Sequence, residues 1–131
     1  MSQALLVAGA VFHLAFAVFH LLFWKLFRWK EELSRLGAIN RGVMQVLNIC
    51  LIYVFLFLAW LALFHRPAML GTDLGRALLG SVSLFWVLRA VVDLIFFQRR
   101  HWVAWLLFVL FICGALIHGI PLFLPHAPSP A

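Results

Sequence analysis

The sequence predicts an all-α membrane protein, in which four transmembrane helices form an antiparallel up-down bundle and a short cytoplasmic amphipathic helix joins spans one and two. Hydrophobic residues make up 66% of the 131 residues and charged residues 11%, with a mean hydropathy of +1.10. Soluble domains are roughly half apolar and about a quarter charged. Apolar stretches at about residues 3–24, 43–64, 74–97 and 102–124 can each cross a hydrocarbon core of about 30 Å. We therefore expect residues 1–131 to form a single integral-membrane domain.

Span one carries two histidines on one helical face. His13 and His20 are seven residues apart, which puts them nearly in line and about 10.5 Å apart along the axis. The N-terminus lacks the basic segment and the small-residue cleavage site of a signal peptide, so we expect span one to be retained. Ionisable residues in spans are functional by default, but each histidine could equally be a structural residue satisfied by a neighbouring carbonyl or hydroxyl.

Residues 25–36 predict the amphipathic helix of the first loop. Charged residues alternate at helical spacing with apolar ones, namely Leu26, Trp29, Leu33 and Leu36. Arg28 with Glu32, and Glu31 with Arg35, stand at the i,i+4 spacing of helical ion pairs. The excess of basic residues predicts binding to anionic lipid, at on the order of 1 kcal/mol per basic residue near the surface.

Spans two and three contribute four further polar residues. After a turn predicted at residues 40–42, span two begins with Gln45 and Asn48 on one face. Span three starts at an N-cap, Thr72 or Asp73, and contains Arg89 and Asp93, four residues apart and so able to pair. Side chains lean toward the N-terminus of their helix, so we expect Arg89 to point away from the nearer membrane surface.

Depth along the helices predicts which polar residues meet. At a rise of about 1.5 Å per residue, His20 and Asp93 lie about 6 Å from the cytoplasmic edge and Asn48 about 8 Å. Gln45 lies about 3 Å from that edge and Arg89 about 12 Å. We therefore predict a buried polar cluster of His20, Asn48, Arg89 and Asp93, with Gln45 at its mouth, that binds a small ligand or protons. The alternative is a cluster that only fixes helix register, as interhelical hydrogen bonds do.

Small residues predict where helices approach closely. The first half of span three is rich in them, and Ala115 and Gly119 form a small-xxx-small pair in span four. Cys50 and Cys113 lie within spans and show no CxxC spacing, so we expect two small apolar core residues rather than a redox pair.

The distribution of charge predicts the topology. Basic residues concentrate in the first and third loops, whereas the second loop holds only Arg66 and Arg76. The positive-inside rule then places loops one and three in the cytoplasm and both termini outside it, most simply in a bacterial inner membrane. Residues 98–101 are predicted to form a tight hairpin and the proline-rich residues 125–131 a disordered tail. The formal charge of +6 thus belongs to membrane loops, and we expect no nucleic-acid partner.

Three classes of function remain open on the sequence. A transporter would need a homodimer or larger oligomer, because four spans hardly enclose a pathway. A non-catalytic accessory subunit of a larger membrane complex would use the first-loop helix for docking. A redox protein would bind a quinone or haem b, with His13 and His118 as ligands about 15 and 9 Å from the outer edge. No cofactor is required by the sequence, and the absence of HExxH, GxSxG, paired HxxxH or clustered carboxylates argues against a metal site or an enzyme.

Overall fold

The computed structural model describes residues 1–97 and 102–124, and these ranges are helical with short connections and contain no strand. Helices long and apolar enough to cross a membrane are Ser2–Leu21, Ala38–Phe64, Asp73–Phe96 and Trp102–Phe123. We label the α-helices in chain order as α1 (Ser2–Leu21), α2 (Phe23–Leu26), α3 (Trp29–Glu32), α4 (Ala38–Phe64), α5 (Arg66–Gly71), α6 (Asp73–Phe96) and α7 (Trp102–Gly119). Short 3-10 turns follow α3 at Leu33–Arg35 and α7 at Ile120–Phe123. The predicted hairpin and tail, residues 98–101 and 125–131, lie outside the described residues.

The long helices form a bundle whose open side, between α4 and α6, is bridged by side chains rather than by close backbone contact. α1 packs against both α4 and α7, and α6 packs against α7, whereas the backbones of α4 and α6 make little direct contact. Aromatic side chains cross the space between these two helices, where the Phe55 and Trp86 rings stack with centroids 5.7 Å apart and planes 9° apart. Trp86 is fully buried and also contacts Phe12, Phe16 and Phe111. Trp86 thus packs at the centre of one buried cluster, and a second buried cluster around Leu6 and Leu79 does not include it.

The connection between α4 and α6 is a short helix packed tightly on α6. Thr72, one of the two predicted N-cap residues, caps α6. Its hydroxyl accepts a hydrogen bond from the Gly75 amide at 3.0 Å. A Cβ atom at Gly75 would overlap the carbonyl oxygen of Ala68 and lie 2.5 Å from the Cα of Met69. Only glycine fits this contact between α5 and α6.

Small residues join α6 to α7 within the chain. The Ser83 hydroxyl donates to the Ala115 carbonyl at 2.9 Å, and a Cβ at Gly119 would stand 2.9 Å from that same hydroxyl. Closer to the start of α6, the Arg76 guanidinium donates to the Leu122 carbonyl at 2.9 Å. The small residues predicted in spans three and four thus face each other.

The first loop departs from the predicted continuous helix over residues 25–36. Arg28 has a left-handed backbone, with φ of 50° and ψ of 41°, and this residue separates α2 from α3. The break changes the partners of the charged residues: Arg28 pairs with Glu31, and Arg35 pairs with Glu32 at 3.4 Å. The predicted i,i+4 pairs are therefore wrong, since after the break the closer neighbours are three residues apart.

The apolar side of this loop turns toward the protein. Trp29 and Leu33 are buried, and the Trp29 ring lies 5.3 Å from that of Phe23, whereas Leu26 is exposed. The segment therefore folds back against the end of the bundle through two of its four predicted apolar positions.

Both cysteines lie on the outer surface of the bundle, so the prediction that they are core residues is wrong. Cys50 follows the buried Asn48 by two residues, and Cys113 follows the buried Phe111 by two. Two residues on an α-helix rotate the side chain by about 200°, which turns each thiol to the outside.

Candidate functional site

A cavity of about 830 Å³ lies at the end of the bundle that carries the first loop. Side chains of all four long helices and of α2 and α3 line this aromatic cavity, and most of them are aromatic or aliphatic. Among the described residues, the polar side chains that line it are His20, Glu32 and Arg89. An apolar cavity of roughly 300 to 1,000 Å³ with a few convergent polar groups is typical of a small-molecule site.

Arg89 presents its guanidinium to this cavity without a hydrogen bond to any described residue. Its guanidinium carbon lies 4.6 Å from the centroid of the Phe111 ring and 6.0 Å from that of Phe97. The side chain is 34% exposed, and its closest carboxylate oxygen, Oδ1 of Asp93, is 3.9 Å from Nη1. Arg89 thus runs toward the C-terminal end of α6, and the predicted lean toward the N-terminus is wrong. Its long stem can take either direction, and Asp93 one turn further on attracts the charge.

Asp93 stands behind Arg89 rather than in the cavity. The side chain is buried, and Oδ1 accepts no hydrogen bond within the described residues. A separation of 3.9 Å is an ion pair but too long for a hydrogen bond. The carboxylate therefore compensates the charge of Arg89 while leaving the N–H donors of the guanidinium free for another partner.

His20 offers the complementary function, a hydrogen-bond acceptor. Its Nδ1 lies 2.8 Å from the carbonyl oxygen of Phe16. A carbonyl oxygen can only accept, so Nδ1 carries the proton and Nε2 of the neutral ring has a free lone pair. The ring also stacks on Phe23, with centroids 4.5 Å apart. The helical turn of α1 thus fixes the tautomer and turns Nε2 away from its own backbone.

Asn48 and Gln45 do not line the cavity. Asn48 is buried and donates from Nδ2 to the carbonyl oxygen of His20 at 3.2 Å, which ties α4 to α1 directly behind the imidazole. Its Oδ1 has no partner within the described chain. Gln45 is half-buried. Of the five predicted site residues, the structure brings His20 and Arg89 to the cavity, places Asn48 and Asp93 behind them and leaves Gln45 outside.

A second polar cluster lies deeper in the bundle, between α1, α6 and α7. The rings of His13 and His118 have centroids 4.8 Å apart, and each residue is only 1% exposed. Gly9 permits this approach, because a Cβ there would lie 2.9 Å from Nε2 of His118. His118 donates from Nδ1 to the Gly114 carbonyl at 2.8 Å. Both nitrogens of His13, Nε2 of His118 and Nε1 of Trp86 have no hydrogen-bond partner in the described chain.

This pair is the one predicted for haem b. The two histidines do meet, but the His13 ring packs between Phe55 and Trp86, with centroids 5.9 Å from each. Neither histidine lines the aromatic cavity. A porphyrin between the rings would require them to move apart, and haem binding stays a prediction. Among the described residues, no group of three or more His, Cys, Asp or Glu side chains could hold a metal ion.

The aromatic lining of the cavity was missed by the sequence analysis, which followed polar residues alone. The chain has 14 Phe and 6 Trp residues. Phe16, Phe19 and Phe23 stand three and four residues apart around His20, which is the helical spacing of a single face. That spacing was visible in the sequence and predicts an aromatic surface around the histidine.

Fold and site together define a small integral membrane protein of four apolar helices with buried histidines. No family model, curated protein or solved structure matches the chain. The function is therefore argued from the aromatic cavity itself.

Proposed function

We propose that the protein binds a lipophilic small molecule in the aromatic cavity, with Arg89 as its polar anchor and His20 as a second contact. The observation that carries the proposal is a guanidinium that projects into an aromatic cavity of about 830 Å³ and makes no hydrogen bond to a described residue. Arg89 is 34% exposed, so its free N–H groups carry only part of the cost of a buried donor without a partner. A hydrogen bond to a charged group contributes about 1.5 to 3 kcal/mol, and a ligand oxygen at Arg89 would supply it.

The rest of the cavity supports an apolar ligand body. Aromatic side chains from four helices would contact the ligand and remove its apolar surface from solvent. This burial stabilises binding by about 25 cal/mol per Å² of apolar surface. Met44 of α4 and Phe85 of α6 line the cavity and are 41% and 37% exposed. We place the entry for a lipophilic molecule from the bilayer between these two residues, on the side where the backbones of α4 and α6 make little contact.

The test is to identify what co-purifies with the full chain. Wild type, Arg89→Met and Gln45→Leu are purified in mild detergent, and their organic extracts are compared by mass spectrometry. We expect a lipophilic compound enriched in wild type and Gln45→Leu and depleted in Arg89→Met, since Gln45 does not line the cavity. Extracts that do not differ from those of an unrelated four-span protein would contradict the proposal, and so would equal enrichment in Arg89→Met.

The proposed arrangement in the membrane is an antiparallel bundle with loops one and three in the cytoplasm and both termini outside it, in a bacterial inner membrane. Two contacts support the antiparallel order, because Gly9 of α1 lies beside His118 of α7, whereas Phe16 lies beside Phe111. As the residue number rises in α1, it falls in α7. The basic residues of the first loop support the cytoplasmic side.

Anionic lipid stays the proposed partner of residues 25–36. The side chains of Arg28 and Arg35 are each 73% exposed, although each also pairs with a glutamate. The alternatives of an oligomeric transporter and of an accessory subunit in a larger complex remain predictions, and no contact among the described residues favours either.

A further inference from the structure

The charges around the aromatic cavity favour a neutral ligand. Asp93 compensates Arg89 at 3.9 Å, and Glu32, the other charged lining residue, pairs with Arg35 at 3.4 Å. A fatty-acid or phosphate head at Arg89 would lie close to the buried carboxylate of Asp93 and be repelled by it. A cationic head would meet the guanidinium. The described groups that face the cavity thus select against a net charge of either sign.

Among the described lining residues, Arg89 and His20 place a hydrogen-bond donor and an acceptor on different helices, whereas the carboxylate of Glu32 already pairs with Arg35. Arg89 of α6 can only donate, and Nε2 of His20 on α1 can accept because Nδ1 holds its proton against the Phe16 carbonyl. A ligand that uses both groups has a carbonyl oxygen for the guanidinium and a hydroxyl for the imidazole. Quinones and quinols present these groups in two redox forms of one ring.

The walls of the cavity suit a flat ring. The Trp86 ring stacks on Phe55 at 9° and on Phe111 at 22°, and the His20 ring stacks on Phe23 at 23°. All five residues line the cavity. Trp86, Phe55 and Phe111 are at most 2% exposed, so a ligand ring would meet the lining rings that keep exposed surface, Phe23, Phe27 and Phe97. These rings can give a planar ligand the offset contacts that aromatic pairs prefer.

A long apolar tail on the ligand could leave the cavity between α4 and α6. The backbones of α4 and α6 make little contact, and the exposed lining residues Met44 and Phe85 stand on these two helices. An aliphatic or isoprenoid chain could therefore pass between α4 and α6 into lipid while its head stays at Arg89.

We infer that the ligand belongs to the quinone class, with its head group between Arg89 and His20 and its tail between α4 and α6. This inference rests on the proposed function and adds the ligand chemistry. Arg89 binds a ring oxygen in both redox forms, and His20 accepts a hydrogen bond only from the hydroxyl of the quinol.

The experiment titrates the full chain in lipid nanodiscs with decylubiquinone and with its quinol. The readout is quenching of tryptophan fluorescence, because Trp29 and Trp86 line the cavity. We expect saturable quenching by both forms in wild type. Arg89→Met should weaken both about tenfold, the equivalent of one charge-assisted hydrogen bond. His20→Phe keeps an aromatic ring and should weaken the quinol about tenfold but the quinone less than about twofold. Gln45→Leu, outside the cavity, should leave both unchanged.

Oleate serves as the anionic comparison and is titrated against the wild type only. Saturable binding of oleate without binding of decylubiquinone to wild type would overturn the quinone inference and leave the proposed function standing. Quenching that never saturates, or that is equal in Arg89→Met, reports partition into lipid and also overturns it. Equal weakening of quinone and quinol by His20→Phe overturns the role given to His20. If neither compound binds and no lipophilic molecule co-purifies, the proposed function fails as well.

Discussion

At the scale of single residues, the buried histidines of the long helices differ in whether the ring donates a hydrogen bond to the backbone. His20 and His118 each donate from Nδ1 to the carbonyl four residues back, on Phe16 and Gly114. His13 has the same opportunity at Gly9, yet both of its nitrogens lack a partner in the described chain. A neutral imidazole must carry one N–H, so His13 buries a donor and an acceptor at a cost.

His13→Phe tests whether that cost is real. Phenylalanine keeps the ring and removes both unpartnered nitrogens, so we expect the free energy of unfolding to rise by about 1 kcal/mol or to stay unchanged. His118→Phe is the matched control, since it also breaks the bond to Gly114 and should lower stability. Thermal unfolding in one detergent measures both.

A loss of more than about 1 kcal/mol in His13→Phe would contradict the expectation, and either overpacking by the larger ring or a bound partner of His13 would explain it. The predicted alternative of haem b is tested separately, by the visible absorption spectrum of the purified wild type.

Counting residues along the spans predicted how deep each polar side chain lies along its helix, but not the direction in which the side chain points. His20 and Asn48 were expected at similar depth, and Asn48 does contact His20, although through its backbone carbonyl rather than the imidazole. Arg89 was expected to lean the other way. Depth follows from the helical rise, whereas each rotamer depends on neighbours from other helices that the sequence does not identify.

At the scale of helices, the apolar stretches predicted the spans to within a few residues, and polar segments were the source of error. α4 begins at Ala38, five residues before the predicted start at 43, and the turn predicted at residues 40–42 is helical. The Arg41 amide donates to the Gly37 carbonyl at 3.0 Å, which starts this helix. Turn-forming residues lower helix propensity by only about 1 kcal/mol or less each, and an adjoining long apolar helix outweighs that.

Two glycines of α6 give a matched test of its contact with α5. Gly75→Ala would place a methyl group against the backbone of Ala68 and Met69, and backbone cannot rotate aside. We expect Gly75→Ala to lower the free energy of unfolding by about 1 to 3 kcal/mol, as overpacking does. Gly80→Ala should be neutral or slightly stabilising, because the nearest side-chain atom to its Cβ would be 3.7 Å away. Equal thermal stability of the two variants would show that α5 does not pack on α6 in this way.

At the scale of the whole molecule, the basic residues of the loops support the proposed topology. The sequence could predict a four-span protein because hydrophobic length is a local property. It could not predict the open side between α4 and α6, because helix order in the bundle is decided by contacts among Phe55, Trp86 and Phe111 that join distant segments. The aromatic cavity is a consequence of that order.

Single cysteines on a cysteine-free background test the topology. Lys30→Cys lies in the first loop, and Arg66→Cys lies at the start of α5 in the second. We expect a membrane-impermeant maleimide to label Arg66→Cys in intact spheroplasts and to label Lys30→Cys only after lysis. Labelling of Lys30→Cys from outside would reverse the proposed orientation.

If the proposed ligand enters between α4 and α6, its concentration in the bilayer governs occupancy of the cavity. Such a molecule is drawn from the hydrocarbon phase, where lipophilic metabolites accumulate far above their aqueous levels. Occupancy in intact vesicles would then depend on the amount of the molecule per lipid, and diluting the vesicles into buffer would not empty the cavity.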